Sequence, residues 1–276
     1  MVNKVLNFLD RRGLQWLLIP IIFLGYLKNG KKIKSVAYVK KLKIWVFHVK
    51  NDFFVSRGPG WAYDIEFLEH VYTQYSGFAY RPGPGDVVID VGAGLGEESL
   101  LFSKWVGPEG KVFSIEANPA TFAGLRYLIT LNKLSNVKAD WLAISNFNGK
   151  TLIEDNDDRF LQNTIVGKAN ASGKITEVNC CTLDEYFDQN AIVRADFLRV
   201  NIEGAEQLLV EGMNSSVNKI KHVVISCHDF REGSDFYKTR EKIMRFLSFQ
   251  NFTILYQQTG NAVRDNYLYA TNNSIG

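Results

Sequence analysis

The fold is decided by residues 85–98, which read GDVVIDVGAGLGEE. The apolar, β-branched run at 87–91 predicts a strand that is covered on both of its faces. Three glycines follow at every second position, where they let the backbone turn sharply and approach a ligand closely. Glu97 and Glu98 then begin a helix, since acidic residues suit the positive end of the helix dipole. Asp90 lies near the carboxyl end of the strand, where open α/β sheets bind their ligands.

The spacing of the glycines separates two classes of nucleotide site. A dinucleotide fingerprint has the pattern G-x-G-x-x-G. Gly92 and Gly94 match its first two positions, but Glu97 stands at the third. The observed D-x-G-x-G-x-G pattern, with Asp90 and Gly96 at its ends, resembles the first motif of Rossmann-like methyltransferases that use S-adenosylmethionine (SAM).

A second acidic strand end follows in the segment SIEANP at 114–119. Its carboxylate, Glu116, can accept hydrogen bonds from both ribose hydroxyls of a nucleoside. The alternative for Glu116 is an acid in the first turn of the next helix. The alternative for Asp90 is a buried aspartate that bonds to loop amides, and such an acid also shapes the turn.

The composition indicates a well-packed protein with an uneven distribution of charge. Of the 276 residues, 46% are hydrophobic and 13% are aromatic, which excludes a disordered chain. Residues 1–50 carry 11 Lys or Arg and one acid, a net charge of +10, whereas residues 51–276 carry a net charge of −7. A basic arm on an acidic body predicts contact with a membrane surface or an anionic macromolecule.

The remaining composition narrows the class of protein further. Three cysteines and four histidines give neither a disulfide framework nor a zinc pattern, so we predict no metal and a reducing, cytoplasmic location. The acidic body argues against a nucleic-acid partner, which would need a basic groove.

Residues 14–27 form an almost wholly apolar segment between basic clusters. The segment is shorter than the about 20 residues that a membrane-spanning helix needs. No small-residue cleavage site follows it, so we do not expect a signal peptide. Three alternatives stay open: a helix at a membrane surface, a helix packed on its own domain or on a second subunit, and a membrane span.

From residue 86 onward, predicted strands and helices alternate, which is typical of a mostly parallel sheet with helices on both faces. We predict an α/β fold, a Rossmann-like class I methyltransferase domain with a seven-stranded sheet at 59–276. A hairpin insertion lies at 146–180, and an N-terminal helix and β extension occupies 1–58. The predicted strands of the domain are 87–91, 112–116, 137–144, 197–202, 222–227, 252–257 and 267–271. Its predicted helices are 64–75, 97–106, 119–132, a short one from 182, 205–211 and 236–250.

The ends of the fourth and fifth strands face the substrate side of such a sheet. They bring Asn201, Glu203 and His228 to a predicted acceptor pocket. Methyl transfer to a hydroxyl needs an in-line approach and a proton acceptor, and a neutral histidine with a pKa near 6.5 is the expected base. Glu203 acts as a base only if burial raises its pKa; otherwise it orients a hydroxyl or the amino group of SAM. Purely structural roles for Glu203 and His228 stay open.

The sequence also predicts the surroundings of Arg199, Trp141 and Cys227. Arg199 is costly inside a sheet unless it is paired, and Glu206 is the expected partner. Trp141 packs either beside the adenine or in the core. Cys227 is expected to be a buried apolar filler.

Four segments together resemble the FkbM family of SAM-dependent methyltransferases: DVVIDVGAGLG at 86–96, SIEANP at 114–119, TLD at 182–184 and FLRVNIEGAE at 197–206. The resemblance implies methylation of hydroxyls on sugars, glycolipids or polyketide-type products, and therefore a small-molecule or glycan acceptor as the partner. It implies that Glu203 and His228 face the acceptor. It also implies that SAM is held by the glycine turn and the next strand ends, namely Asp90, Gly92, Ala93, Gly94, Gly96, Glu116, Ala117, Asn118 and Ala143.

The sequence departs from the family pattern in two places. The family commonly has Lys and Asp where this chain has Arg199 and Asn201, and it often has Glu before the fifth-strand His228, where this chain has no acid. Asn201 cannot accept a proton and binds a divalent ion more weakly than a carboxylate. The first alternative is therefore a SAM-binding or glycan-binding module without catalysis, and the second is a nicotinamide-dependent oxidoreductase.

Overall fold

The computed structural model describes residue 6 and residues 9–30, 32–59, 64–155, 174–231 and 235–275. Within these ranges, three 3₁₀ turns, Ser216–Lys219, Asp235–Tyr237 and Arg264–Asn266, accompany the helices and strands. Those elements are, in chain order, α1 (Gln15–Lys28), β1 (Ile33–Val39), β2 (Ile44–Val49), β3 (Asp52–Ser56), α2 (Ile65–Gln74), β4 (Val87–Val91), α3 (Glu97–Val106), β5 (Lys111–Glu116), α4 (Pro119–Asn132), β6 (Val137–Trp141), β7 (Ala143–Ile144), β8 (Gly149–Asp155), β9 (Lys174–Cys181), α5 (Leu183–Gln189), β10 (Ala195–Val200), α6 (Glu206–Glu211), β11 (Ile220–Ser226), α7 (Arg240–Phe249), β12 (Phe252–Tyr256) and β13 (Tyr267–Asn272).

A seven-stranded sheet with the order β12-β13-β11-β10-β4-β5-β6 forms the centre of the fold. The strands from β11 to β6 pair in parallel, and β13 pairs antiparallel with both β11 and β12. This confirms the predicted mostly parallel α/β sheet. The chain leaves β4 toward β5 on one side and later returns to β10 on the other, so the turn after β4 lies where the strand order reverses.

Local side-chain contacts set the starts of two helices. The side chain of Asn118 accepts hydrogen bonds from the backbone N of Ala120 and Thr121, and Pro119 fits the first helical position of α4. The carboxylate of Asp229 accepts hydrogen bonds from the backbone N of Thr239 and Arg240. These contacts favour the start of α7 at Arg240, whereas we predicted a start at 236.

The segment predicted as one strand over 137–144 is two strands in different sheets. β6 ends at Trp141, and the backbone N of Leu142 donates to the carbonyl oxygen of Glu116. β7 then joins a small sheet of order β7-β9-β8, in which β8 and β9 form an antiparallel pair within the predicted insertion. Residues 156–173 of that insertion lie outside the described residues.

The N-terminal region forms an antiparallel sheet, β1-β2-β3, with α1 packed against β1. Leu18 and Ile22 of α1 are buried in a cluster that also contains Leu95, Leu100 and Leu128 of the domain. One face of α1 therefore packs on its own chain, while residues 1–5, 7–8 and 31 of the predicted extension lie outside the described ones. Among the described residues, no helix has both the length and the apolar content that crossing a bilayer requires. The predicted boundary between 58 and 59 falls between β3 and α2 and stays a prediction.

Candidate functional site

The turn after β4 depends on glycine at two positions. Gly92 and Gly94 have φ angles of 80° and 60°, in the left-handed region that side chains disfavour. A Cβ on Gly92 would lie 2.1 Å from the carbonyl oxygen of Asn201, whereas a Cβ on Gly94 would meet no atom within 4 Å. Gly92 thus allows the turn to pack on the end of β10, and Gly94 leaves open space for a ligand.

A cavity of about 470 Å³ lies at the carboxyl ends of β4, β5 and β10. Nine of the twelve predicted site residues line it: Gly92, Ala93, Gly94, Glu116, Ala117, Asn118, Ala143, Asn201 and Glu203. The other three predicted residues, Asp90, Gly96 and His228, are buried and do not belong to this lining. The predicted residues therefore converge on one cavity, with three of them behind its wall.

Asp90 is buried below the glycine turn and is linked to it through Arg199. Its carboxylate lies 3.0 Å from Nη1 of Arg199 and accepts a hydrogen bond from the hydroxyl of Ser99. The same Nη1 donates to the carbonyl oxygen of Gly92 at 2.8 Å, and Nη2 lies 3.1 Å from the carboxylate of Glu98. Arg199 therefore pairs with Asp90 and Glu98. The expected pairing with Glu206 is wrong. One buried guanidinium ties the strand, the turn and the first turn of α3 together.

Glu116 stands at the cavity wall with its carboxylate held by the backbone. Oε2 accepts a hydrogen bond from the N of Gly94 at 2.9 Å, and Oε1 accepts one from the N of Asn118 at 2.8 Å. Each carboxylate oxygen has a second lone pair that remains for a ligand hydroxyl. Burial raises the pKa of Glu116 to about 7, although hydrogen bonds from backbone N–H groups oppose this shift.

Glu203 follows β10 and reaches the cavity from a strained backbone position. Its φ angle is 60°, which is unusual for a residue with a side chain. Its Oε2 contacts Nη2 of Arg231 and lies 3.5 Å from Nε2 of His228. Two cationic groups thus fix a carboxylate at the cavity wall, and strain of this kind is typical of functional positions.

His228 is a buried member of an ion-pair chain rather than a cavity residue. Its Nδ1 lies 2.8 Å from Oε1 of Glu206, which also accepts hydrogen bonds from the backbone N of Ile202 and Gly204. Burial alone would lower the pKa of His228, but the carboxylates of Glu203 and Glu206 outweigh burial and raise it to about 9. His228 is therefore cationic at neutral pH and has no lone pair for a proton, unlike the neutral base that we expected.

Several wall residues were not predicted from the sequence. Glu97, in the first turn of α3, lines the cavity, and burial raises its pKa to about 7. Glu98 also lines it. Both residues directly follow the third glycine of the turn, which could have indicated that they line the site. We interpreted them only as the start of a helix. The side of the cavity formed by α2 carries Phe67, Leu68, Val71 and Tyr72.

Trp141 and Cys227 are the two other residues whose surroundings were predicted. Trp141 is nearly half exposed, and its indole N–H donates to the carbonyl oxygen of Ala117 at 2.8 Å. It belongs neither to the core nor to the described lining of the cavity. Cys227 is fully buried, as expected, and burial raises the pKa of its thiol. Within the described ranges, no cluster of three or more His, Cys, Asp or Glu side chains is arranged to hold a metal ion.

Comparison with known families decides what this site belongs to. The family model of the methyltransferase FkbM domain matches residues 90–254, which is more than half of the chain. The chain belongs to the FkbM methyltransferase family. This membership confirms the resemblance predicted from the four sequence segments, and it removes the basis for a nicotinamide-dependent oxidoreductase. SAM is the cofactor of this class of enzyme.

Solved structures with this kind of fold include other methyltransferases. The methyltransferase FkbM from Methylobacillus flagellatus KT is 16% identical with a TM-score of 0.49, over 75% of this chain and 50% of that one. This chain thus spans about half the length of that FkbM protein. Fibrillarin from Aeropyrum pernix, solved with natively bound SAM, is 13% identical with a TM-score of 0.45, over 87% of this chain and all of that one. TM-scores below 0.5 add nothing to the family assignment, and no curated protein matches the sequence.

The described residues of this FkbM domain suit the chemistry of SAM. Gly94 leaves room for close approach of a ligand, and Glu116 offers two carboxylate lone pairs of the kind that ribose hydroxyls need. Ile115, Leu142 and Ile144 give the wall an apolar part that can cover an adenine ring. Seven of the nine residues predicted to hold SAM line the cavity, and Asp90 and Gly96 lie behind its wall. Their role in binding SAM stays a prediction.

Binding of SAM to this FkbM domain should weaken as the pH falls below about 7. The protonated form of Glu116 loses an acceptor position for a ribose hydroxyl, so the dissociation constant should rise by up to about tenfold for each pH unit below its pKa. Isothermal titration of SAM between about pH 5.5 and pH 8.5 measures this dependence. Glu116→Gln should bind weakly at every pH with a flatter profile. The same steep slope in Glu116→Gln would contradict this assignment, and its loss in Glu97→Gln would identify Glu97 instead.

The stability of this FkbM domain should fall as the pH rises from about 6.5 to about 9. The folded state holds a proton on His228 that the unfolded chain releases near pH 6.5, so this stabilisation is complete below pH 6.5 and is lost as the pH passes the folded pKa of about 9. The shift corresponds to on the order of 3 kcal/mol of unfolding free energy. Urea unfolding at a series of pH values measures it. His228→Gln should be less stable at neutral pH and should lack this decline, and an equal decline in that variant would assign it to other groups.

Proposed function

We propose that this chain transfers the methyl group of SAM to a hydroxyl group of a saccharide, a glycolipid or a related natural product. The observation that carries this proposal is the carboxylate of Glu203, which is held at the cavity wall by His228 and Arg231. An ionised carboxylate only accepts hydrogen bonds, so it suits an acceptor that donates one, as a hydroxyl does. The side-chain amide of Asn201, also at this wall, can donate to a second acceptor oxygen.

Bound SAM supplies an electrophilic methyl group on a cationic sulfur. The acceptor hydroxyl must lose its proton when the new ether bond forms. Glu203 is placed to take that proton and can do so as an ordinary carboxylate, because the hydroxyl becomes strongly acidic as its oxygen gains the methyl group. His228 and Arg231 restrict the motion of the carboxylate, so that the hydroxyl is oriented before it reacts. The buried Glu206 in turn fixes His228, which makes His228 a positioning residue in this proposal.

The wall formed by α2 supports a saccharide or glycolipid acceptor. Phe67 and Val71 are apolar, exposed in part and belong to the cavity lining. The C–H face of a sugar ring or an apolar aglycone can pack on such side chains while its hydroxyls bond to Glu203 and Asn201.

The three cysteines are free and buried, which supports the predicted cytoplasmic location, where thiols stay reduced.

The test is a transfer assay with SAM labelled in its methyl group. The purified chain is incubated with pools of oligosaccharides, glycolipids and lipid-linked saccharides, and the products are analysed by mass spectrometry. We expect transfer of label into a product that survives mild alkali, because an ether is stable under conditions that hydrolyse a methyl ester. Release of the label by alkali would indicate a carboxylate acceptor and would contradict the proposal. SAM binding without turnover across all pools would favour the alternative of a binding module without catalysis.

A further inference from the structure

The helix α1 carries two apolar faces, of which the protein covers one. Leu18 and Ile22 are buried against the N-terminal sheet, and Ile19, Phe23 and Tyr26 pack around them. These contacts attach the inner face of α1 to the folded chain. Removal of the outer face therefore need not disturb the packing of the helix.

The outer face of α1 is apolar and exposed. Trp16, Ile21 and Leu24 have 67%, 54% and 63% of their surface exposed. Leu17 and Leu27 extend the same strip, since these positions recur at the three- and four-residue spacing of one helical side. A contiguous strip of large apolar side chains on a protein surface is typical of a contact site rather than of ordinary solvent-facing surface.

The surroundings of this strip are strongly basic. Lys28 ends α1, Lys32 follows it, and both are exposed, as are Lys40 and Lys41 after β1. The whole segment 1–50 carries a net charge of +10, whereas the rest of the chain carries −7. This charge complements an anionic surface, and it disfavours the pairing of two copies through the same face, because like charges would be brought together.

The dimensions of α1 decide between crossing a bilayer and lying on it. A helix of 14 residues is about 21 Å long, shorter than the about 30 Å of a bilayer's hydrocarbon core. A helix with a buried inner face, an exposed aromatic and aliphatic strip and flanking lysines matches an interfacial helix, which lies in the membrane plane. We propose that the outer face of α1 docks on the surface of an anionic lipid bilayer, with Trp16, Ile21 and Leu24 inserted among the acyl chains.

Vesicle sedimentation of the full chain tests this docking. We expect co-sedimentation with vesicles in which about one-third of the lipid is phosphatidylserine, little with phosphatidylcholine alone, and weaker binding as salt screens the charges. The variant Trp16→Ser, Ile21→Ser, Leu24→Ser should bind at least about tenfold more weakly. Lys28→Gln and Lys32→Gln should each reduce binding by about fivefold at low salt.

A matched triple variant controls for the general loss of exposed apolar surface. Val193→Ser, Phe249→Ser and Leu255→Ser remove three exposed apolar side chains elsewhere, and this variant should bind vesicles like the unmodified chain. Far-ultraviolet circular dichroism and thermal melting check that both triple variants fold. Failure of the unmodified chain to bind anionic vesicles at low salt would overturn the proposal. So would a dimer in light scattering that the Trp16 triple variant abolishes, because the face would then join two copies. Vesicle binding needs no turnover, so its outcome is independent of the proposed methyl transfer.

Discussion

Replacement of Glu203 by glutamine should lower kcat for methyl transfer by at least about a hundredfold, while the dissociation constant for SAM changes by less than about threefold. Glutamine has nearly the same shape, so Arg231 and His228 can still contact its side-chain oxygen. An amide cannot take up the proton that the acceptor hydroxyl loses. The loss should therefore appear in the chemical step and not in cofactor binding.

Single-turnover rates with labelled SAM and titration calorimetry separate these two effects. Glu211→Gln is the matched control, because it makes the same chemical change at a surface carboxylate that pairs with Lys242, outside the cavity lining. The control should keep full activity. A Glu203→Gln variant with an unchanged kcat and a raised KM would show that Glu203 only binds the acceptor, and a large loss of SAM affinity would assign it to the cofactor side.

The part of the site that could be predicted from the sequence is the part that is local in the chain. Residues 85–98 contain the strand, the turn and the helix start in order, and each follows from residue type and spacing. Gly92 and Gly94 have the left-handed φ angles that a tight turn requires. Glu116 was found for the same reason, since an acid at a strand end can be recognised without knowledge of any distant contact.

Contacts between distant residues could not be predicted in this way. Arg199 and Asp90 are direct partners in the register of β10 on β4, although 109 residues separate them. Without that register we expected Glu206, an acid shortly after Arg199 in the sequence, as the partner, and Glu206 pairs with His228 instead. The cationic state of His228 has the same origin, because it depends on two carboxylates that the chain brings together only on folding.

Which side of α1 is buried could not be predicted from the sequence either. Residues 14–27 are apolar on every side, so no periodicity separates a buried face from an exposed one. The structure identifies Leu18 and Ile22 as the buried side. Likewise, the helical spacing of α2 does not single out Phe67 and Val71 as the side chains at the cavity wall, because that role depends on where α2 packs.

Replacement of Arg199 by methionine should lower the free energy of unfolding by about 3–5 kcal/mol. The change leaves the carboxylate of Asp90 buried without its cation, and it removes the donor from the carbonyl oxygen of Gly92. Arg199→Lys keeps the charge but not the two-armed contact with Asp90 and Glu98, so its loss should be smaller, on the order of 1–3 kcal/mol. Urea unfolding with SAM titration measures both variants. A stability of Arg199→Met within about 1 kcal/mol of the unmodified chain would contradict this role.

The pH dependence of the Arg199→Met deficit separates its two physical causes. If the cost comes from an unpaired charge, Asp90 can reduce it by binding a proton, since burial already raises the pKa of this carboxyl and Arg199 opposes that shift. The deficit should then shrink as the pH falls, and the double variant with Asp90→Asn should recover part of the lost stability. A cavity left by the missing guanidinium would instead cost the same at every pH, and Asp90→Asn would not reduce it. A deficit that depends on pH and is partly relieved by Asp90→Asn would therefore identify charge pairing, rather than packing, as the means by which Arg199 holds the turn.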